Sequence, residues 1–169
     1  HKAIRRQRQM CIRDRYKNRY NVELTYDEMI CLQGSQEALS TLFLAMCDPG
    51  DIVLVPDPYY PIFSDGPKIA GAKVEYMPLL QENNYVIQLD QIDEEIAKKA
   101  KMMIVSYPNN PTCAIAPDSF YEELIQFAKK YDIVVLHDNA YSELVFDGKV
   151  GKSFLSFEGA KEIAVSYTH

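Results

Sequence analysis

Six side chains with ligand-binding chemistry stand at the start of one predicted helix or just after predicted strands. They are Ser35, Gln36, Tyr60, Asn110, Asp138 and Tyr141. The start of a helix offers unpaired backbone N–H groups and the positive end of a dipole, which suit a phosphate. A tyrosine ring can stack on a flat ligand. A carboxylate can keep a pyridine nitrogen protonated, and an amide and a phenol can bind a phenolate oxygen. This combination favours a flat, phosphorylated heteroaromatic ligand.

The elements that must position these groups alternate between helix and buried strand. Apolar residues at spacings of three and four predict one helix beginning at Gly34-Ser35 and another over 118–131. Short, continuous apolar runs are typical of strands buried on both faces, and they occupy 52–55, 102–106 and 133–136. Weaker patterns predict helices over 61–70 and 92–101, and a strand over 73–77. The chain is therefore predicted to have an α/β fold, with a mostly parallel sheet and helices on both faces.

Each of the three clearest strands is followed by a polar or aromatic turn. These turns occupy 56–61, 107–112 and 137–141. The carboxyl ends of parallel strands meet at one edge of a sheet, where such folds bind ligands, so we expect the six side chains to converge there. A phosphate site, a stacking ring, a carboxylate for a ring nitrogen and two groups for a ring oxygen together describe a site for pyridoxal phosphate.

Four motifs occur in an order that is similar to one known family. They are Gly34-Ser35-Gln36-Glu37-Ala38-Leu39, Asp57-Pro58-Tyr59-Tyr60-Pro61, Asn109-Asn110-Pro111-Thr112 and Asp138-Asn139-Ala140-Tyr141. Over residues 16–164 the chain resembles the class I/II aminotransferases of the aspartate aminotransferase fold type. Within that family, its sequence is similar to the subgroup of LL-diaminopimelate and alanine/aspartate-like aminotransferases. The resemblance implies part of the large domain of the fold-type I pyridoxal-phosphate-dependent transferases.

The resemblance also implies roles for the six side chains, in a homodimeric enzyme that moves an amino group between an amino acid and a 2-oxo acid. The implied contacts with pyridoxal 5'-phosphate are Ser35 and Gln36 at the phosphate, Tyr60 on the ring face, Asn110 and Tyr141 at the ring phenolate oxygen, and Asp138 at the pyridine nitrogen.

The sequence departs from the family pattern in two places. Relatives commonly have glycine after Asn-Pro-Thr, whereas this chain has Cys113, which would be strained if the position needs a positive φ angle. The family's Schiff-base lysine lies in a Ser-x-x-Lys segment beyond a strand that here begins near Ile163, and the printed sequence contains no such segment. Lys149 and Lys152 lie in a polar stretch typical of a solvated loop. We therefore assign no catalytic residue and expect these 169 residues to be inactive alone.

The composition predicts a cytoplasmic protein without membrane spans or a nucleic-acid partner. A hydrophobic content of 47% argues against a disordered chain. No apolar run approaches the roughly 20 residues that a membrane span needs. The four cysteines form no Cys-x-x-Cys pair, which argues against a zinc site or a disulfide framework and suits a reducing compartment. Residues 20–169 carry 23 acidic and ten basic side chains, which argues against nucleic-acid binding.

The two ends differ in character from the rest of the chain. Residues 1–19 carry eight basic groups and one acid, so they could form an arm for nucleic acid or anionic lipid. However, residues 1–15 show no apolar periodicity, and both they and residues 165–169 resemble translated sequencing-adapter sequence. We expect 1–15 to be a disordered or foreign leader, 16–164 to be a partial cofactor-binding large domain, and 165–169 to be a foreign tail.

Several of these residues also have a purely structural explanation. Asp138 could cap a helix over 140–146, Asn110 could hold a turn between prolines, Ser35 could cap its own helix, and His137 suits a buried strand end. For the whole protein, the alternatives are a pyridoxal-phosphate-dependent lyase or decarboxylase, or a non-catalytic regulator of the same fold. A doubly wound nucleotide-binding domain is disfavoured because the sequence has no Gly-x-Gly-x-x-Gly.

Overall fold

A parallel sheet of five strands organises the chain in the computed structural model, which describes residues 2–146 and 151–167. Its strands lie in the order β2-β1-β3-β4-β5, and every neighbouring pair is parallel. The strands are β1 (Ile52–Asp57), β2 (Lys73–Pro78), β3 (Ala100–Ser106), β4 (Val134–Asp138) and β5 (Ala164–Tyr167). The predicted α/β fold with a mostly parallel sheet is confirmed. The chain runs from β1 outward to β2 and then returns to β3 on the other side of β1. The strand order therefore reverses between β1 and β3, and doubly wound sheets bind ligands at such a point.

Helices connect the strands and cover both faces of the sheet. They are α1 (Lys2–Tyr20), α2 (Ser35–Met46), α3 (Ile62–Ile69), α4 (Glu94–Ala97) and α5 (Asp118–Tyr131). Short 3₁₀ turns lie at Tyr26–Glu28, Gln81–Asn83, Leu89–Gln91, Phe154–Ser156 and Ala160–Glu162. None of these described helices is both long and apolar enough to cross a bilayer.

Alternation of side chains along the strands separates two apolar cores. On one face α2 and α3 pack on Val53, Val55, Met102, Ile104 and Leu136. On the other face α5 packs on Leu54, Met103, Val105 and Val135. Because successive strand residues point to opposite faces, the last residue of β3 and the last of β4 both point to the side of α2.

The carboxyl ends of the parallel strands lie at one edge of the sheet. Ser106 at the end of β3 pairs in register with Asp138 at the end of β4. Asp57 at the end of β1 pairs in register with Pro78 at the end of β2. The turns that follow these strands therefore start from one edge, as the sequence predicts.

One predicted helix is wrong in its extent. The pattern over 92–101 predicts a single helix, but α4 covers only Glu94–Ala97, and Lys101 lies inside β3. The helix begins where the Asp93 carboxylate accepts hydrogen bonds from the amides of Glu95 and Ile96. It ends because Ala100 already pairs with Ile52 in the sheet.

The basic N-terminal segment is helical rather than disordered. Arginine, lysine, glutamine and methionine, which are frequent there, all favour helix. Gln9 is buried and donates a hydrogen bond to the carbonyl oxygen of Met29, over 3.1 Å. Helix α1 crosses the boundary expected at residue 15, and β5 crosses the one expected at 164. The disordered alternative is wrong, and the foreign origin of both ends stays a prediction; His1, Thr168 and His169 lie outside the described residues.

Candidate functional site

The start of α2 and the turn after β1 are joined by a side-chain hydrogen bond. The Gln36 amide nitrogen donates to the Tyr60 hydroxyl over 2.8 Å. Helix α2 runs back along β1, so its first turn lies at the carboxyl edge of the sheet. The Tyr60 ring rests edge-on against Phe63, with the ring centroids 6.1 Å apart. The predicted phosphate-binding and stacking residues are thus brought together.

A second pair joins the turns after β3 and β4. The Asn110 amide nitrogen lies 3.3 Å from the Tyr141 hydroxyl, which accepts its hydrogen bond. Tyr141 is partly exposed, at 37% of its surface. The two side chains predicted to share one ligand oxygen therefore meet across the strand ends.

Asp138 is buried at the end of β4, with 4% of its surface exposed. One carboxylate oxygen accepts a hydrogen bond from the Ser106 hydroxyl over 3.4 Å, and the other accepts from the amide of Ala140 over 3.1 Å. Because Asp138 alternates with His137 and shares its face with Leu136, the carboxylate lies on the α2 side of the sheet. It is held in one orientation by donors on both sides.

Ser106 is a site residue that the sequence analysis missed. It is a polar residue at the end of a buried strand, and its register places it beside Asp138. The only available signal was a serine that ends an apolar run, and such a signal is weak without the register.

The first turn of α2 differs in one detail from the sequence expectation. The N-cap position is Gly34, with φ of 92°, and Ser35 is the first helical residue, so the alternative that Ser35 caps the helix is wrong. Glycine suits this position because a side chain there would be strained. The N-cap residue itself contributes no side-chain hydrogen bond to this helix start.

Cys113 adopts the positive φ angle that its position suggested, at 59°. The turn is fixed by Asn109, whose side-chain oxygen accepts hydrogen bonds from the backbone N–H and the hydroxyl of Thr112. A left-handed conformation costs a non-glycine residue about 1–2 kcal/mol. The turn therefore keeps its geometry with cysteine, but at some strain.

Two cavities flank the sheet, and their size does not identify the site. One of about 1020 Å³ lies beneath α1 and is bordered by Ser35, Leu136 and Ser166. The other, of about 1050 Å³, lies on the α5 side and is bordered by Asp90, Tyr107 and Asp118. Only the first contains any of the six predicted residues. The donor chemistry at the strand ends is therefore the better guide.

The structural alternatives for Asp138 and His137 have different outcomes. Residues 140–143 form a turn, and residues 139–146 of the described chain contain no helix, so the helix-cap alternative for Asp138 is wrong. His137 is fully buried, and its Nδ1 lies 3.3 Å from the Ser166 hydroxyl. Its Nε2 has no hydrogen-bond partner among the described residues. Lys152 pairs with Asp118, and Lys149 lies outside the described residues.

Burial of His137 predicts a loss of stability in acid. Desolvation lowers the pKa of His137 from 6.5 to about 3. Below pH 6.5 the imidazole of His137 binds a proton in the unfolded chain but not in the folded chain. The free energy of unfolding therefore falls as the pH falls, until about pH 3. The slope is about 1.4 kcal/mol per pH unit, or about 2 kcal/mol between about pH 6.5 and 5. Urea unfolding at about pH 7 and about pH 5 measures it. His137→Gln should lose this part of the pH dependence, and an unchanged dependence would contradict the prediction.

Comparison with known proteins bears directly on this geometry. Residues 7–169 match the family model described as Aminotransferase class I and II. The chain belongs to this family. Its LL-diaminopimelate aminotransferase relative from Halothermothrix orenii is 50% identical over 157 residues, which make up 92% of this chain and 40% of the relative. The relative of the same name from Moorella thermoacetica is 42% identical, again over 92% of this chain and 40% of the relative.

A solved structure agrees with this family assignment. The probable N-succinyldiaminopimelate aminotransferase from Thermus thermophilus superposes with a TM-score of 0.89 at 32% identity, covering 95% of this chain and 43% of that one. The chain thus spans about 40% of the length of its family relatives. Members of the family use pyridoxal phosphate. The donor set at the strand ends fits that group, because it offers a helix start, an aromatic ring, two donors for one oxygen and an oriented carboxylate.

Proposed function

We propose that the complete protein is a pyridoxal-phosphate-dependent aminotransferase, which moves an amino group from an amino acid to a 2-oxo acid. The chain described here supplies much of the cofactor-binding part of the large domain. Support comes from the family match and from the side chains that meet at the carboxyl edge of the sheet. The names of the relatives favour a diamino dicarboxylic acid such as LL-diaminopimelate as amino donor.

The oriented carboxylate of Asp138 is the observation that carries this proposal. Bound pyridoxal phosphate supplies a ring that withdraws electrons from the carbon carrying the amino group. Asp138 holds a proton on the ring nitrogen, because its charge favours the protonated form. Ser106 and the amide of Ala140 keep that carboxylate in place.

The other five residues bind and orient the cofactor. Ser35 and Gln36, with the positive end of α2, hold the phosphate. Tyr60 covers one face of the ring and excludes water from it. Asn110 and Tyr141 hydrogen-bond the ring phenolate oxygen and lower its basicity, since hydrogen bonds to the charged form favour it.

The setting of the complete protein forms part of the same proposal. We propose a cytoplasmic homodimer: the cysteine pattern suits a reducing compartment, and the family resemblance implies the dimer.

A two-substrate assay of the complete protein tests the function. With LL-diaminopimelate and a panel of other amino donors, we expect a 2-oxo acid product that accumulates only when a 2-oxo acid acceptor is also present. Carbon dioxide release, or product formation without an acceptor, would assign the protein to the decarboxylases or lyases instead. Cofactor binding with no product from any donor would identify a regulator.

A further inference from the structure

A buried hydroxyl connects the end of α1 to the loop that carries Tyr141. Tyr20, the last residue of α1, is 8% exposed, and its hydroxyl lies 2.9 Å from the hydroxyl of Ser142. The same oxygen accepts a hydrogen bond from the Asn139 amide nitrogen over 3.3 Å. Asn139 and Ser142 are themselves buried, at 1% and 2% exposed. One phenol thus contacts the loop on both sides of Tyr141.

Two arginines of the same helix fix the far end of the loop. Arg15 and Arg19 each bind one carboxylate oxygen of Glu143, over 2.8 and 2.9 Å. These groups are partly exposed, and such pairs contribute about 1 kcal/mol or less each. The buried phenol is therefore the stronger restraint, while the arginines keep α1 aligned with the 139–143 loop.

The 139–143 loop needs such a restraint because regular structure does not fix it. Residues 140–143 form a turn, in which the amide of Leu144 bonds to the carbonyl of Tyr141. Asp138 fixes the start of the turn through the amide of Ala140. The Tyr141 hydroxyl accepts a hydrogen bond from Asn110, and the position of this hydroxyl depends on the residues that flank Tyr141 in the turn.

We propose that Tyr20 is a positioning residue, which holds the 139–143 loop so that the Tyr141 hydroxyl stays beside Asn110 at the cofactor oxygen. This inference rests on the proposed cofactor site for its consequence, but not for the contact itself. Without the Tyr20 hydroxyl, Ser142 and the Asn139 amide nitrogen lose a buried partner. The other end of the Asn139 amide already lacks a partner among the described residues. Buried polar groups without partners favour local opening of the loop.

A pair of matched variants isolates this effect. Tyr20→Phe removes only the hydroxyl. Tyr16→Phe is the control, because Tyr16 lies one turn earlier on α1, is 2% exposed and touches the Tyr20 ring, but its hydroxyl faces Ser166 on β5 rather than the loop. Ser142→Ala removes the other partner of the same hydrogen bond and should reproduce Tyr20→Phe.

Hydrogen exchange tests the restraint without any cofactor. In the 169-residue chain we expect Tyr20→Phe and Ser142→Ala to speed amide exchange at residues 140–144 by about tenfold relative to exchange in β4, in line with loss of a buried hydrogen bond. Tyr16→Phe should leave this ratio unchanged. Equal ratios in all variants would overturn the inference.

A pH titration of bound pyridoxal 5'-phosphate then tests the consequence for the cofactor oxygen. The absorbance of the bound compound changes with pH as its phenolate oxygen is protonated. The pH midpoint of this change should rise by about 0.5–1 unit in Tyr20→Phe and not in Tyr16→Phe, because the phenolate loses the hydrogen bond of Tyr141. Faster exchange with an unchanged midpoint would overturn the positioning role. If the unsubstituted chain binds no pyridoxal phosphate, the proposed cofactor site fails for this chain. The amide NMR signals of Asn110 then decide the positioning role. They should shift in Tyr20→Phe and Ser142→Ala but not in Tyr16→Phe, and unchanged signals in the first two variants would overturn the role.

Discussion

Replacing Asp138 by asparagine in the complete protein is expected to lower turnover about 100-fold or more while pyridoxal phosphate stays bound. The asparagine oxygen can still accept the hydrogen bond from the amide of Ala140, so the turn after β4 keeps its shape. The lost feature is the negative charge that holds a proton on the ring nitrogen. Removing one oriented electrostatic contact from a buried site typically costs a factor of about 100–1,000 in turnover. Steady-state kinetics together with the absorbance of the bound cofactor measure both parts.

A matched substitution separates this effect from a general loss of charge. Asp57 ends β1 at the same edge of the sheet, but its side chain is exposed. Asp57→Asn should therefore leave turnover within about threefold of the unsubstituted protein. Turnover near the normal value in Asp138→Asn would remove Asp138 from the proposed site, whereas equal losses in both variants would point to a non-specific effect of charge.

Gly66→Ala is expected to destabilise the fold by about 2–3 kcal/mol, although alanine normally favours a helix over glycine by about 1 kcal/mol. Gly66 lies in α3 where that helix crosses α2. A Cβ atom there would overlap the carbonyl oxygen of Leu39 and lie 2.9 Å from a ring carbon of Phe43. The backbone oxygen cannot move away without shifting α2, so overpacking outweighs the gain in helix propensity. Urea unfolding measures the difference.

The neighbouring position on the same helix provides the control. Asp65 is exposed, and Asp65→Ala should change the free energy of unfolding by no more than about 0.5 kcal/mol. Because Gln36 on α2 bonds to Tyr60 just before α3, Gly66→Ala should also weaken pyridoxal phosphate binding. A stabilised Gly66→Ala protein would show that α2 and α3 approach less closely than described.

The sequence was sufficient for the elements with strong local signals. Buried strands appear as unbroken apolar runs, and the pattern over 118–131 matches α5. It was less reliable where a local pattern competes with sheet pairing: Lys101 continues a helical pattern but extends β3. Pairing between distant strands overrides such short-range preferences.

The site was predictable as a list of residues but not as a set of contacts. Motif order places Asn110 and Tyr141 after neighbouring strands, yet the hydrogen bond between them depends on register. Ser106 and Tyr20 were not predicted, because their roles depend on partners 32 and 122 residues away. Periodicity carries no information about such distant pairs.

The distance along the chain between Tyr20 and Ser142 also has a consequence for biosynthesis. The two residues are 122 positions apart. At about 5–20 residues per second, a ribosome needs about 6–24 s to proceed from the first to the second. During this interval α1 has been made, but the 139–143 loop has not, so the Tyr20 hydroxyl lacks the partners that Asn139 and Ser142 later provide. Translation speed and chaperone access over this stretch should therefore affect the yield of folded chain more than the intrinsic folding rate of any single element.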